Sequence, residues 1–473
     1  MQQQSRLPRW YFAAMIGIWA LIAGAFVLGV NFGMRHETPS ALVAELPKEQ
    51  LEALAIVHRA ILKSHVDPQD GRALLENAIR LMVHDLDPYS RYVTPAEVPS
   101  YEEDNTGHYE GIGAEFGTHD DHVVLYYPLA GGPAERAGLR PGDLLLAIDG
   151  QPLDTPEQRA RMAEFVRGAS GSELRMRLER DGAPFEVTLA RGDVQHPCVK
   201  WAHRIGANGE FGYVQLTDFH PGCASTLIAA IDALQQPQPL RGLVLDLRDN
   251  GGGSFDDCVA IARAFLHDGL ICSETRRDSE IVERFDSKPE QCRFPDLPLV
   301  LLVNEQSASA SEVLAGALQD NRRAAIVGQR THGKAYVNTV YTWKNLPFRL
   351  KLTTGKYRTP SGRDIERHHH VAKSANADAG GIPPDVVVPL TASQRDAVTA
   401  TLGASEPPAA WREAFAAVAA HWQLQVPSPP AAADDPQLAA ALRTLAERAA
   451  ERAAQHTAEP QTDRSASHRE RDK

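Results

Sequence analysis

The sequence predicts a multidomain protein of mixed α/β and β class. An N-terminal transmembrane helix and a helical segment precede a small β-rich domain and a βα-type core on a largely parallel sheet. Three observations carry that reading. At 473 residues the chain exceeds what one compact core accommodates. The run from Tyr11 to Phe32, YFAAMIGIWALIAGAFVLGVNF, carries no charge over the roughly 20 residues that a helix needs to cross a bilayer. From Phe211 onward, short apolar runs alternate with helical patterns, as βα units require.

Residues 1–36 form the cytoplasmic tip and membrane anchor. Arg6 and Arg9 precede the apolar run, which orients the N-terminus to the cytoplasm and the bulk of the chain outside it. In a Gram-negative bacterium that is a single-pass inner-membrane protein facing the periplasm. A cleaved signal peptide is the rival, but its apolar stretch is shorter and ends at a small-residue site that is not evident here. Residues 37–98 are helical: Leu51, Leu54, Val57 and Ile61, then Leu75, Ile79 and Met82, recur at helical spacing on either side of VDPQDG.

Residues 99–192 read as the β-rich domain, with strands HVVLYY, DLLLAID, ELRMRLERD and PFEVTLA, Gly and Pro turns between them, and a helical stretch at PEQRARMAEFV. Residues 193–392 are the core, with strand-like FGYVQL, GLVLDLR, LPLVLLVN and AAIVG and helix-like CASTLIAAIDAL, DDCVAIARAFL and SEVLAGALQD. Residues 393–473 are an Ala- and Pro-rich extension whose charged end, past Gln455, is expected to be disordered and solvated.

Composition excludes some functions. A net charge of −12, with no clustered Lys and Arg, argues against a nucleic-acid partner. The five cysteines, Cys198, Cys223, Cys258, Cys272 and Cys292, show no CxxC spacing, so neither a zinc site nor a full disulfide framework is expected. His368, His369 and His370 invite a metal reading, but consecutive residues of a strand point to alternate faces, and no partner carboxylate stands near; a solvated loop is expected.

The chemistry concentrates in three segments. NEQSASASEVLAGALQD places Ser307, Ser309 and Ser311 where an apolar strand turns into a helix, whose N-terminus offers free N–H donors and partial positive charge; any of the three could equally be a cap, with Glu312 in the first turn. LDLRDNGGGSF ends another strand in a triple-Gly turn, where Gly252 and Gly253 can present N–H groups to an oxyanion beside the N–H of Ala310. THGKAYVN carries Lys334, the candidate base in a chain where no His and Asp pair stands out; it needs a pocket that disfavours its charged form. Two further Gly-rich signals, GIGAEF and GGPAERAGLRPGDLLLAIDG, lie in the β-rich domain.

Those last signals resemble a PDZ domain, which implies that Gly111, Ile112 and Gly113 receive the C-terminal carboxylate of a peptide added to a sheet edge. With LDPYSRY, LDLRDNGGGS, the SASAS and GK segments, LKLTTGKYRTPSGRDI and GIPPDVVV in order from about Leu51 to Leu390, the chain resembles the carboxyl-terminal processing peptidases, PDZ-containing tail-specific serine proteases. The resemblance implies that Ser309 is the nucleophile and Lys334 the base of a Ser-Lys dyad, that Gly252 or Gly253 and Ala310 are the oxyanion donors, and that peptide bonds are cleaved through an acyl-enzyme. It implies protein or peptide substrates with free C-termini and no metal or organic cofactor, and it admits a homo-oligomer, through the helices near 48 to 84, or an adaptor. Asn338 stands where the family carries a Gln after the lysine, and His332 precedes Gly333; a protonated His332 would lower the lysine pKa. The rival class is a peptide-binding scaffold without catalysis.

Overall fold

The computed structural model describes residues 46–277, 280–367, 380–424, 426 and 428–458. The predicted membrane segment, the His368 to His370 run and the charged tail beyond Ala458 lie outside the described residues. Among the described residues no helix is long and apolar enough to cross a membrane. The chain divides after Asp85 into two compact units.

The first unit holds two helices, α1 (Lys48–Ser64) and α2 (Gly71–His84), on either side of the predicted break. Asp70 caps α2 by accepting from Arg72 N at 2.8 Å, which satisfies one of the free donors of its first turn. The apolar spacing marked both helices, yet Leu54, Val57, Ile79 and Met82 stay exposed.

The second unit begins with β1 (Arg91–Val93) and α3 (Val98–Thr106). A two-stranded ribbon follows, β2 (His108–Gly111) with β9 (Gly192–Gln195), through which the chain enters and leaves the β-rich domain. Between them lie β3 (Ala114–His119), β4 (His122–Pro128), the helical turn α4 (Pro133–Arg136), β5 (Leu144–Ile148), β6 (Gln151–Pro152), α5 (Pro156–Ala160), α6 (Met162–Val166), β7 (Glu173–Arg180) and β8 (Ala183–Ala190). The sheet order β3-β4-β5-β7-β8 leaves β3 at an edge. Alternation along β7 sends Leu174, Met176 and Leu178 into a core with Val123, Leu125 and Leu145, while the intervening arginines face out. Asp143, in the predicted LRPGD turn, is fully buried and held by Arg180 through two bonds of 2.6 and 2.8 Å.

The core sheet runs β10 (Val199–Ile205), β11 (Phe211–Leu216), β12 (Leu243–Asp246), β15 (Leu299–Val303), β16 (Ala324–Gly328) and β19 (Val386–Val387). Only β10 is antiparallel to its neighbour; the other pairs are parallel, as the alternation predicted. The helices α7 (Cys223–Leu234), α8 (Phe255–Phe265) and α9 (Ala310–Asp320) cover one face. Because both faces are buried, β15 is apolar at every position, LVLLV.

A second, wholly antiparallel sheet joins β1, β13 (Leu270–Thr275), β14 (Ile281–Asp286), β17 (Tyr336–Trp343) and β18 (Leu346–Arg358). Its hairpins, β13 with β14 and β17 with β18, become one sheet only through the distant pairings of β18 with β13 and β1, which leave no local signal. Through the pairing of β1 with β18, the DPYSRY segment belongs to this unit and not to the helical region.

The region beyond 392 also departs from the expected extension. It forms α10 (Ala392–Gly403), α11 (Arg412–Trp422) and α12 (Pro436–Ala458). Leu438, Ala441 and Leu445 of α12 cover the second face of the core sheet, and Phe415 of α11 packs on Tyr127 of β4. Arg248, fully buried, bonds Asp246 at 2.6 Å and Asp435 at 2.7 Å, which locks the DLR turn to the start of α12. Losing one partner of such a buried set costs about 3–5 kcal/mol.

Candidate active site

The site forms where β12 and β15 end and their chains turn toward α8 and α9. Two of the three serines are structural. Ser307 Oγ donates to Leu247 O at 2.8 Å and Ser311 Oγ donates to Asn250 O at 2.9 Å, both from buried positions, so they stitch the serine turn to the neighbouring strand end. Ser309 lies between them, partly exposed, with φ 56° and ψ −114°. A non-glycine residue there is strained, and the surrounding bonds hold it at the helix N-terminus.

The triple-Gly turn abuts it. A Cβ added at Gly252 would stand 2.8 Å from Ser309 Cβ and 2.9 Å from Ala310 N, so only glycine permits this approach, and its φ of +101° adds to the requirement. The N–H of Gly252 donates to Asn250 Oδ1 at 2.9 Å. Among the described residues the N–H groups of Gly253 and Ala310 have no partner, which leaves them as the available donors.

Glu312 ties the serine to the lysine segment. Its carboxylate is fully buried and accepts four bonds: Oε2 from Ser309 N at 2.9 Å and Lys334 N at 2.8 Å, Oε1 from Thr331 Oγ at 2.6 Å and Gly333 N at 2.7 Å. Burial pushes its pKa up while these donors oppose the rise. Since all four partners donate, the ionised acceptor fits the geometry.

Lys334 itself is half-buried, with Nζ 4.9 Å from the centroid of the Tyr89 ring. Burial first, and then repulsion from Lys351, lowers its amine to about 8, against the opposing pull of Glu312 and Glu366. His332 is not among these causes. Glu366, also buried, accepts from Ala335 N at 2.8 Å and is pushed by burial up to about 7. Among the described residues no hydrogen bond joins Ser309 Oγ to Lys334 Nζ. Tyr89 is fixed by Asp87, which accepts from Tyr89 N and Ser90 N, each at 2.8 Å.

The structure thus gathers Ser309, Lys334, Gly252, Gly253 and Ala310 around one turn. Asn338 is not engaged with the lysine: its amide donates to Thr353 Oγ at 3.0 Å, and that hydroxyl donates to Asp87 Oδ1 at 3.0 Å. Gly111, Ile112 and Gly113 stand apart: Gly111 ends β2, and Ile112 and Gly113 lead into edge strand β3. The carbonyls of Ile112 and Gly113 accept from Ala134 N at 2.8 Å and Leu129 N at 2.9 Å, while their N–H groups have no partner among the described residues. Sequence reasoning assigned Glu312 only a capping role, and it gave none to Tyr89, Lys351 or Glu366, which come from beside β1, from β18 and from the chain past β18 and leave no signal in local spacing.

Residues 210–388 match the family described as Peptidase family S41, and residues 124–180 match the PDZ domain. The chain is similar to a carboxy-terminal-processing protease of Bartonella bacilliformis, 33% identical over 369 residues that cover 76% of this chain and 80% of the relative. It is also similar to a probable CtpA-like serine protease of Staphylococcus aureus, 29% identical over 385 residues, 81% of this chain and 73% of the relative. Among solved structures it is similar to the photosystem II D1 C-terminal processing protease, at 29% identity and TM-score 0.41, over 76% of this chain and 98% of that one.

Proposed function

The chain belongs to the carboxy-terminal-processing proteases, serine-type peptidases of family S41 with a PDZ domain, and on that premise we propose that it hydrolyses peptide bonds with a Ser309–Lys334 dyad. The observation that carries this reading is the shared Glu312 oxygen, which accepts from the backbone N–H of both residues and so fixes one loop against the other. Ser309 Oγ attacks the scissile carbonyl, and its proton passes to the neutral Lys334 Nζ. The oxyanion is met by the N–H groups of Ala310 and the Gly252–Gly253 turn. Lys334 then protonates the leaving amine, and water hydrolyses the ester with Lys334 again as base.

The amine resting on Tyr89, together with the Gly252 amide held by Asn250, marks a resting arrangement. Peptide binding draws Lys334 Nζ to Ser309 Oγ if it favours that second state. The PDZ domain captures a substrate's C-terminal carboxylate at Gly111 to Gly113, with the peptide added along β3. The run from Tyr11 to Phe32 anchors the protein in the membrane with the protease outside the cytoplasm.

The test is degradation of an unfolded protein by the full chain and by Ser309→Ala and Lys334→Ala variants. Loss in both supports the dyad, whereas equal degradation by all three removes it. Amidated peptides probe the PDZ step separately: binding that ignores amidation excludes carboxylate capture.

A further inference from the structure

Three buried side chains outside this site converge on one point. Cys198 follows β9, where the chain leaves the β-rich domain for β10, and His220 and Cys223 bracket the turn His220-Pro221-Gly222-Cys223 that opens α7. Their ligand atoms all lie within 4.8 Å of one another. Each residue is at most 3% exposed.

Local geometry builds this cluster. Cys223 N donates to His220 O at 3.0 Å, closing the turn, and Gly222 at its third position has φ 96°. The backbone N–H of His220 points back to Cys223 Sγ at 3.3 Å, a donor that suits a thiolate. Nε2 of His220 lies 2.8 Å from the carbonyl of His196 and donates to it in the Nε2–H tautomer, which orients the ring and leaves Nδ1, with only the long contacts to Gln195 Nε2 at 3.5 Å and Pro221 O at 3.4 Å, as the ligand atom. A Cβ at Gly107 would come within 2.4 Å of that ring, so the chain opposite is glycine where the imidazole passes.

We propose that Cys198, His220 and Cys223 bind a zinc ion that clamps the exit of the PDZ domain to the loop behind the nucleophile. Two thiolates and an imidazole are a soft donor set suited to zinc. Zinc–sulfur bonds of about 2.3 Å place tetrahedral ligands roughly 3.8 Å apart, a separation that falls inside the 4.8 Å within which the three atoms lie. The fourth position opens to a cleft of about 1540 Å³ lined in part by Cys198, His220 and Gln195, where water completes the shell. The site touches the protease through Phe219, next to His220, whose N–H donates to Gly252 O at 3.2 Å. The expectation of no zinc rested on CxxC pairs; His-x2-Cys with a distant Cys escapes that search.

The test uses the full chain, stripped with a chelator under reducing conditions and then dialysed against zinc. Expected is one ion per chain, lost in Cys198→Ser, Cys223→Ser and His220→Ala and kept in Cys292→Ser. Because a serine variant could simply misfold, cobalt added to the unaltered stripped protein provides an independent reading, with thiolate charge-transfer and tetrahedral visible bands expected. Absence of those bands, or zinc uptake by the intact protein no greater than by Cys198→Ser, overturns the site. So does a Cys198–Cys223 disulfide that persists in the protein after reduction and zinc loading.

Discussion

The serine turn and the lysine segment solve opposite problems. Around Ser309 the work is done by short-range bonds: two flanking serines, a strained backbone and a glycine neighbour hold one hydroxyl at a helix N-terminus. Around Lys334 no comparable net exists at the side chain among the described residues, and its chemistry is set by burial and by the charges of Lys351, Glu312 and Glu366. One group is placed by geometry; the other is tuned by its surroundings. Glu312 belongs to both regions, and His332 N, donating to Ser307 O at 3.0 Å, ties them a second time.

The largest effect expected is from Lys334→Ala, with kcat/KM falling by a factor on the order of 10⁴ or more and matching Ser309→Ala, since members of one catalytic unit fail together. Substrate binding to the PDZ domain should persist, which peptide titration checks. In the unaltered enzyme kcat/KM rises about tenfold per pH unit up to about 8 and then levels, because only the neutral amine accepts the serine proton. A profile flat from pH 6 to 9 would break the contrast between a placed hydroxyl and a tuned amine.

Glu312→Gln comes next. An amide cannot accept from four donors as the carboxylate does, so both loops relax, and a displacement of about 1 Å costs roughly a hundredfold in kcat/KM. A merely structural defect would stop there. Removing this negative charge also favours the neutral amine, so the residual activity should reach its plateau at lower pH.

How much of this was legible in the sequence follows the same division. The core strands and helices α7, α8 and α9 were readable because their apolar periods are local, and the serine turn was readable because a strand meets a helix there. That Ser307 and Ser311 are stitches was not, since their partners, Leu247 and Asn250, come from another strand. The lysine's surroundings were hidden for a stronger reason: Tyr89 arrives through the pairing of β1 with β18, as with Arg91 against Lys351, while Lys351 and Glu366 fold back on the lysine from β18 and the chain beyond it. Helix α12 was hidden by its Ala-rich composition, which reads as low complexity until its Leu438 and Leu445 face is set on a sheet.

The smallest effects test the tuning itself, and their signs must differ. Glu366, ionised above about 7, stabilises the charged form of Lys334, so Glu366→Gln lowers the lysine pKa and moves the rising limb of the pH profile toward acid. Lys351 repels that charge while it holds its own proton, so Lys351→Gln raises the lysine pKa and moves the limb toward alkali. Each shift should be roughly half a pH unit, the scale of single charges acting across partly solvated space, with the plateau rate little changed. The double variant should return the limb close to its original position. Two shifts of the same sign would mean that backbone displacement, not charge, governs the amine, and the lysine segment would then be placed by geometry just as the serine turn is.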